Sequence, residues 1–521
     1  MQQSKDFIFF HPPAILNGSK PILDADVKYS YQFVCVPVGL FSMADSLEKS
    51  GFSVSILNLG EKLIDRKGNE LKDIIKYYLK KYRPKIAGID LHWWVHSAGA
   101  METAKLLKEI DPNIITLLGG ITSSYYAEEI MRDFICIDYI LTGECDESII
   151  FFTKHIINNE MSLNDIPGLV YRDNGKIKRN ITIPPQNLDK LDITRYDLLL
   201  EPAKINKDRA IIPITRGCVH NCAYCGASNK SFPEIMGRRF MCFLKPELIV
   251  DLIVKNKLRD RKNIYLYGDI QDAGLSFTNK FFELLQEKDI ENIHLVIEFF
   301  TPPNEDIIEK WREIILSKKI TLGATISPDS GNDSVRKKLR RNYTNYQLLN
   351  SIQYLYEKNI PLSVYFLLGG PEETEETINE TLKLSDEILL LYSKYFKRKN
   401  IRRKKLKHEI IGYEFMQIPD LGSEIYNNPD KYDIKINFNS FKSLVENISN
   451  STHCSQLIGF TTKYFNKVEF VKQYYKIKRS IYKMYYKHGI IGKKTCDNEI
   501  NKFNDDEFIY EKIKAEEKCS F

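Results

Sequence analysis

No apolar run in this 521-residue sequence is long enough to cross a bilayer, and the opening stretch, Met1 to Asp6 followed by Phe7-Ile8-Phe9-Phe10, lacks the apolar core of a signal peptide. A cytoplasmic protein without a transmembrane segment is therefore expected. There is no disulfide framework either. Of ten cysteines, Cys35, Cys136, Cys145, Cys242, Cys454, Cys496 and Cys519 are scattered without pattern, which fits a reducing compartment. The net charge of +6 is mild for the length and does not argue for nucleic acid. No basic stretch interleaves aromatics as a base-stacking surface would. The one basic run, Lys394 to His408, reads as a solvated segment, with an anionic substrate or membrane surface as the competing reading. No internal repeat is visible beyond a generic strand–helix alternation. Hydrophobic and charged fractions of 43% and 28% describe a globular chain with room for two or three domains.

The remaining three cysteines stand together in Arg216-Gly217-Cys218-Val219-His220-Asn221-Cys222-Ala223-Tyr224-Cys225, directly after the apolar run Ala210 to Ile214. Three thiolates from one short loop can hold three irons of a [4Fe–4S] cluster and leave the fourth iron open to a small molecule. The competing readings are zinc and three ordinary thiols. Structural zinc takes four ligands, usually as two separated pairs, and no second pair follows at finger-like spacing. His220 and Cys242 are the only nearby candidates to complete a zinc site. Softness and spacing favour the cluster.

Around this loop the chain alternates short apolar runs with helical patterns. Residues 1–155 give strands near Phe7–Phe10, Phe52–Leu57, Ile86–Ile89, Ile114–Leu118 and Asp138–Leu141, with helices at Leu40–Ser50 and Ala98–Ile110. That is a Rossmann-like parallel sheet, whose ligands bind at the carboxyl strand ends. Residues 156–205 are a connector with one hairpin around Asp173-Asn174-Gly175. Residues 206–425 give six further strands, a partial (β/α)6 barrel of TIM type with its site at the carboxyl strand ends. Residues 426–521 form a mainly helical C-terminal region.

From the cysteine loop onward the chain resembles the radical SAM superfamily, and Tyr224 before the third cysteine is part of the likeness. Gly268-Asp269 after the second barrel strand, Asp329-Ser330 after the fourth and Gly369-Gly370 after the fifth resemble the elements of that superfamily that contact S-adenosylmethionine. The resemblance assigns them to the methionine amino group, the ribose and the adenine respectively. Two departures are visible: Gly-Asp replaces Gly-Gly-Glu, and Asp329 stands where Glu is commoner. Pro37-Val38-Gly39-Leu40, Leu118-Gly119-Gly120 and Thr142-Gly143-Glu144 resemble the cobalamin-binding domain that precedes many radical SAM barrels. The resemblance makes Gly39, His92, Trp93, Gly119, Gly120, Gly143 and Glu144 cobalamin contacts. Asp90-Leu91-His92 lacks the glycine of the cobalt-ligating Asp-x-His-x-x-Gly segment, so cobalt ligation, pocket lining and a local hydrogen bond all stay open for His92.

What this implies is an anaerobic enzyme using a [4Fe–4S] cluster, S-adenosylmethionine and cobalamin. It would act as a methyltransferase that moves methyl from methylcobalamin to a substrate radical made by the 5′-deoxyadenosyl radical. The alternative is a radical cyclisation, rearrangement or oxidation with cobalamin as electron relay or absent. A non-enzymatic sensor is the third reading, and the complete set of barrel motifs argues against it. The expected partners are a small-molecule or peptide substrate and an electron donor such as flavodoxin or ferredoxin.

Overall fold

The computed structural model describes residues 4–519 except 15, 18–19, 22–35, 66–69, 186, 203–206, 319, 397–408, 439 and 452–453. Cys35 and most of the basic run, 397–408, fall outside these. No helix among the described residues is long and apolar enough to cross a membrane.

The first sheet has seven strands: β1 (Phe7–His11), β2 (Val54–Asn58), β3 (Ile86–Asp90), β4 (Ile115–Gly119), β5 (Tyr139–Leu141), β6 (Leu169–Asp173) and β7 (Lys176–Arg179), in the order β2-β1-β3-β4-β5-β6-β7. The first five are parallel and the last two antiparallel. Every residue of β1 is buried, because helices cover both faces of a parallel sheet and an interior strand has no solvent side to show. The β6–β7 hairpin, expected inside the connector, extends this sheet: Ile140 pairs with Val170. Leu200 N–H donates to Ile56 O across the opposite edge, so the connector runs along both ends of the sheet. Helices α1 (Val38–Lys49) and α2 (Ser97–Ile110) are the two that sequence periodicity locates. Gly51, at φ +91°, stops the first.

The second sheet is β8 (Arg209–Pro213), β9 (Asn263–Tyr267), β10 (His294–Phe299), β11 (Thr321–Asp329), β12 (Leu362–Leu368) and β13 (Ile411–Phe415), parallel and in sequential order. This is the open barrel of six units that the alternation predicts. Its strands alternate in burial. Leu295, Ile297 and Phe299 of β10 pack outward under helices, while Val296 and Glu298 point inward.

The C-terminal region serves both units. Helix α3 (Glu375–Phe396) follows β12. Helix α4 (Phe441–Asn450) docks on the first unit, where Phe441 N–H donates to Glu129 Oε2 at 2.8 Å and its ring meets those of Tyr126 and Phe134. Helix α5 (Lys467–Lys487) covers the barrel's open edge: the Tyr485 hydroxyl accepts the N–H groups of Ile410 (3.1 Å) and Ile411 (2.8 Å). Helix α6 (Lys493–Cys519), in a stretch whose charge suggests fraying, packs back on α5, with Arg479 paired to Glu507 at 2.6 Å.

Candidate cluster and cofactor site

After β8 the chain turns through Thr215–Arg216, which pairs antiparallel with Cys242–Phe243. Gly217, at φ +80°, turns the chain into the cysteine loop, where only glycine takes that conformation without strain. The loop is fixed by its neighbours. Ala223 N–H donates to Leu339 O (3.2 Å), Ile425 N–H to Ala223 O (3.0 Å) and Asp420 N–H to Tyr224 O (3.0 Å). Asp420 Oδ2 accepts Gly226 N–H (3.1 Å), and His220 Nε2 lies 2.9 Å from Asp272 Oδ2.

Cys218, Cys222 and Cys225 are free thiols. Burial pushes Cys218 up to about 11 and Cys225 well above its ordinary value, and each feels the charge of a neighbouring loop cysteine. Three soft donors this close on one loop suit an iron–sulfur cluster, which replaces their protons with iron. Zinc is poorly served. His220 is committed to Asp272, and Cys242 Sγ lies 3.9 Å from Phe243 O.

Tyr224, Asp329 and an unforeseen Arg341 form one buried unit. Tyr224 O–H donates to Asp329 Oδ2 (2.9 Å), as does Arg341 Nε (2.9 Å), and a further Arg341 nitrogen donates to the Tyr224 hydroxyl oxygen (3.2 Å). Asp329 sits at φ +66° beside a register break in β11. Asp, whose short polar side chain can bond locally, takes this left-handed conformation more readily than most residues. Ser330 is fully buried, with its carbonyl held by Arg336.

Asp269 is fully buried. Its oxygens accept the N–H groups of Gln271 (2.9 Å), Phe300 (2.8 Å) and Thr301 (3.4 Å), strapping the ends of β9 and β10 together. Burial pushes it up to about 6. Gly268, at φ +112°, lies where a side chain would strike Thr215. The N–H groups of Gly369 (2.6 Å) and Gly370 (3.3 Å) both point at Glu373 Oε2, so this carboxylate shapes the glycine turn. The Gly-Gly-Pro-Glu-Glu string was the available signal for it.

At the carboxyl edge of the first sheet, Gly39 faces open space on α1. Gly120, at φ +120°, sits where a Cβ would fall 2.5 Å from Leu91, and Thr122 Oγ1 donates to His92 O (3.0 Å). Gly119 pairs with Asp90 and so brings the β3 and β4 loops side by side. His92 and Trp93 are partly buried with rings 5.1 Å apart. Beneath them lie two histidines not foreseen from sequence. His11 Nδ1 is 2.8 Å from Asp90 Oδ2, and the ring of His96 is 4.8 Å from that of His11. His11 Nε2 and both ring nitrogens of His96 are buried without partners. Orphaned polar atoms at this edge fit a large polar ligand such as cobalamin.

Gly143 and Glu144 have a different place. A Cβ on Gly143 would strike Thr182 and Met236. Glu144 accepts from Arg238 (2.8 Å) and Arg216 (3.1 Å). Arg216 also pairs with Asp146 and reaches Ser42 Oγ at 3.1 Å. Burial alone would raise Asp146, but Arg216 and Ser42 overcome it and hold that carboxyl low. The expectation that Glu144 meets cobalamin gives way to a clamp between the two units.

Comparison with known proteins agrees with this geometry. The family description "Radical SAM superfamily" matches residues 212–385, and "B12 binding domain" matches residues 26–149. An uncharacterized methyltransferase of Pyrococcus horikoshii is 25% identical over 359 residues, 64% of this chain and 71% of that protein. A tRNA-2-methylthio-N(6)-dimethylallyladenosine synthase of Natranaerobius thermophilus is 25% identical over 301 residues, 56% of this chain and 59% of its own length. The solved structure of the cobalamin-dependent S-adenosylmethionine radical enzyme OxsB, with aqua-cobalamin and S-adenosylmethionine bound, superposes with a TM-score of 0.61 at 13% identity, covering 100% of this chain and 81% of that one.

Proposed function

We propose that this chain, a member of the radical SAM superfamily that carries a B12-binding domain ahead of its barrel, is a methyltransferase. Its cofactors are a [4Fe–4S] cluster, S-adenosylmethionine and cobalamin. Bound, they supply reductive cleavage of S-adenosylmethionine and a methyl donor. The chain's own residues do the rest. Cys218, Cys222 and Cys225 hold the cluster, and the unit of Tyr224, Asp329 and Arg341 fixes the loop against β11. The edge carrying Gly39, His92, Trp93, Gly119 and Gly120 receives cobalamin.

The observation that carries the reading is the Arg216 clamp, which ties the cysteine loop to the ligand edge of the B12-binding unit. A cluster and a corrin held against one another suit the passage of methyl to a carbon activated beside the cluster. The methyltransferase of Pyrococcus horikoshii supports the same reading.

The test is anaerobic turnover with the cluster reconstituted and cobalamin supplied, using candidate acceptors. Methyl transfer yields 5′-deoxyadenosine and S-adenosylhomocysteine in equal amounts with a methylated acceptor. Deoxyadenosine alone, with an intact cluster, would move the reading to radical cyclisation, rearrangement or oxidation. The likeness to an anaerobic magnesium-protoporphyrin IX monomethyl ester cyclase of Rubrivivax gelatinosus, 25% identical over 300 residues, is what keeps that second reading in play.

A further inference from the structure

The inner face of the barrel is unusually polar. Tyr265 and Tyr267 of β9, Glu298 of β10, Thr325 of β11 and Tyr365 of β12 alternate with buried apolar residues that pack under the helices. The Tyr265 and Thr325 hydroxyls meet at 3.2 Å across the intervening strand, which places them on one concave surface. Barrels of this kind ordinarily fill that space with branched aliphatic side chains. Here Tyr267, on an interior strand, is 50% exposed. The lumen is therefore walled by phenols and open to water.

Glu298 is its one uncommitted acid. Oε2 accepts Gly268 N–H at 3.2 Å, and no Lys, Arg or His among the described residues pairs with this carboxyl. Arg341 acts on it only from a distance and is spent on Asp329, Tyr224 and the Phe300 carbonyl. Asp269, the nearest other carboxyl, is spent on backbone N–H groups. A half-buried carboxylate facing the lumen, with no cation of the described chain on it, offers a charge-assisted partner to an ammonium group from outside. Phenol rings around it favour the same guest, since a cation over an aromatic face is attracted by the ring.

We propose that Glu298 anchors an ammonium group of the methyl acceptor, so that the acceptor is an amine bound in the barrel lumen with Tyr265, Tyr267 and Tyr365 around it. The proposal rests on the reading that this lumen holds the acceptor. The same chemistry has a second source, the α-ammonium of S-adenosylmethionine, and the experiment separates the two.

The cluster- and cobalamin-loaded protein is titrated anaerobically with phenethylammonium, with 2-phenylethanol and with S-adenosylmethionine. A charge-assisted contact predicts that wild type binds the ammonium about tenfold or more tighter than the alcohol. E298Q should erase that preference and leave S-adenosylmethionine affinity within about threefold. E298D, which withdraws the charge by one carbon, should retain a reduced preference and shows that loss in E298Q is not misfolding. Equal binding or no binding of both probes to wild type overturns the proposal. So does a preference that survives E298Q. Weakened S-adenosylmethionine binding in E298Q without any amine preference overturns it too, and assigns Glu298 to the methionine ammonium. Loss of methyl transfer as an activity is a separate matter: an amine preference seen without S-adenosylhomocysteine formation keeps the anchor and removes the methyltransferase reading.

Discussion

An Arg216 guanidinium nitrogen lies 3.1 Å from Glu144 Oε2, and that contact joins the loop bearing Cys218, Cys222 and Cys225 to the carboxyl edge of the N-terminal sheet. Arg216 stands two residues ahead of Cys218, so its position is inherited by the loop. Removing one partner of a buried charge network leaves the others uncompensated, at a cost of about 3–5 kcal/mol. R216A should therefore melt well below wild type, with Asp146 left without a cation while Glu144 keeps Arg238. R216K keeps the charge but loses the fork that reaches Asp146 and Ser42, and should fall between. Thermal unfolding of the apo protein reads the cost, and a curve for R216A superimposable on wild type would refute the clamp. In the loaded enzyme, R216K should lower the ratio of S-adenosylhomocysteine to deoxyadenosine.

The cysteine loop makes a sharper prediction. C222A should lose both iron and deoxyadenosine formation, because two thiolates cannot hold the cluster. C242S should keep both, since Cys242 lies off the loop with its sulfur against Phe243 O. Iron content and anaerobic S-adenosylmethionine cleavage check both variants. Cleavage retained by C222A would sink the cluster assignment, and iron lost in C242S would restore Cys242 as a fourth ligand.

What could be read ahead of the structure was what lies local in sequence. The strands appear at Phe7, Ile86 and Leu362 because a buried parallel strand is written as a run of apolar residues. The cysteine loop appears because all its donors sit within one turn of chain. Residues that act at a distance left no such mark. Arg341 and Arg216 look like ordinary charged residues until folding brings Arg341 to Asp329 and Arg216 to Glu144. Glu144 shows the same limit: a carboxylate after a glycine at a strand end reads as a ligand contact, and only the fold supplies the arginines that engage it. The hairpin at 169–179 was recognised as a hairpin, but its pairing with β5 depends on an edge that the hairpin's own residues do not describe.

Glu373 should make stability depend on pH in the alkaline direction. Burial pushes it up to about 8, against two backbone N–H groups that favour its charged form. A carboxyl raised in the folded state contributes fully below its unfolded value, about 4.3, and loses that contribution as pH rises through about 8. E373Q keeps the acceptor for Gly369 and Gly370 without the buried charge. The melting temperature of E373Q minus that of wild type should therefore become more positive between about pH 5.5 and 8.5. A constant difference would mean that Glu373 does not titrate in this window.

His96 should act in the opposite direction. Burial first, then the neighbouring His11 and His92, hold it well below its ordinary value, so it is neutral in the fold. The unfolded chain takes up a proton near pH 6.5, and the folded one resists it. Stability from this site is complete above about 6.5 and drains away as pH falls toward the lower folded value. Apo wild type should therefore lose melting temperature between about pH 7.5 and 5.5. H96F, which fills the same space with an apolar ring, should lose less. Asp90, already paired with His11, offers His96 no compensating charge of its own. An equal slope in the two proteins would show that His96 does not titrate across this range, and would remove the ground for treating it as a buried neutral group at the ligand edge.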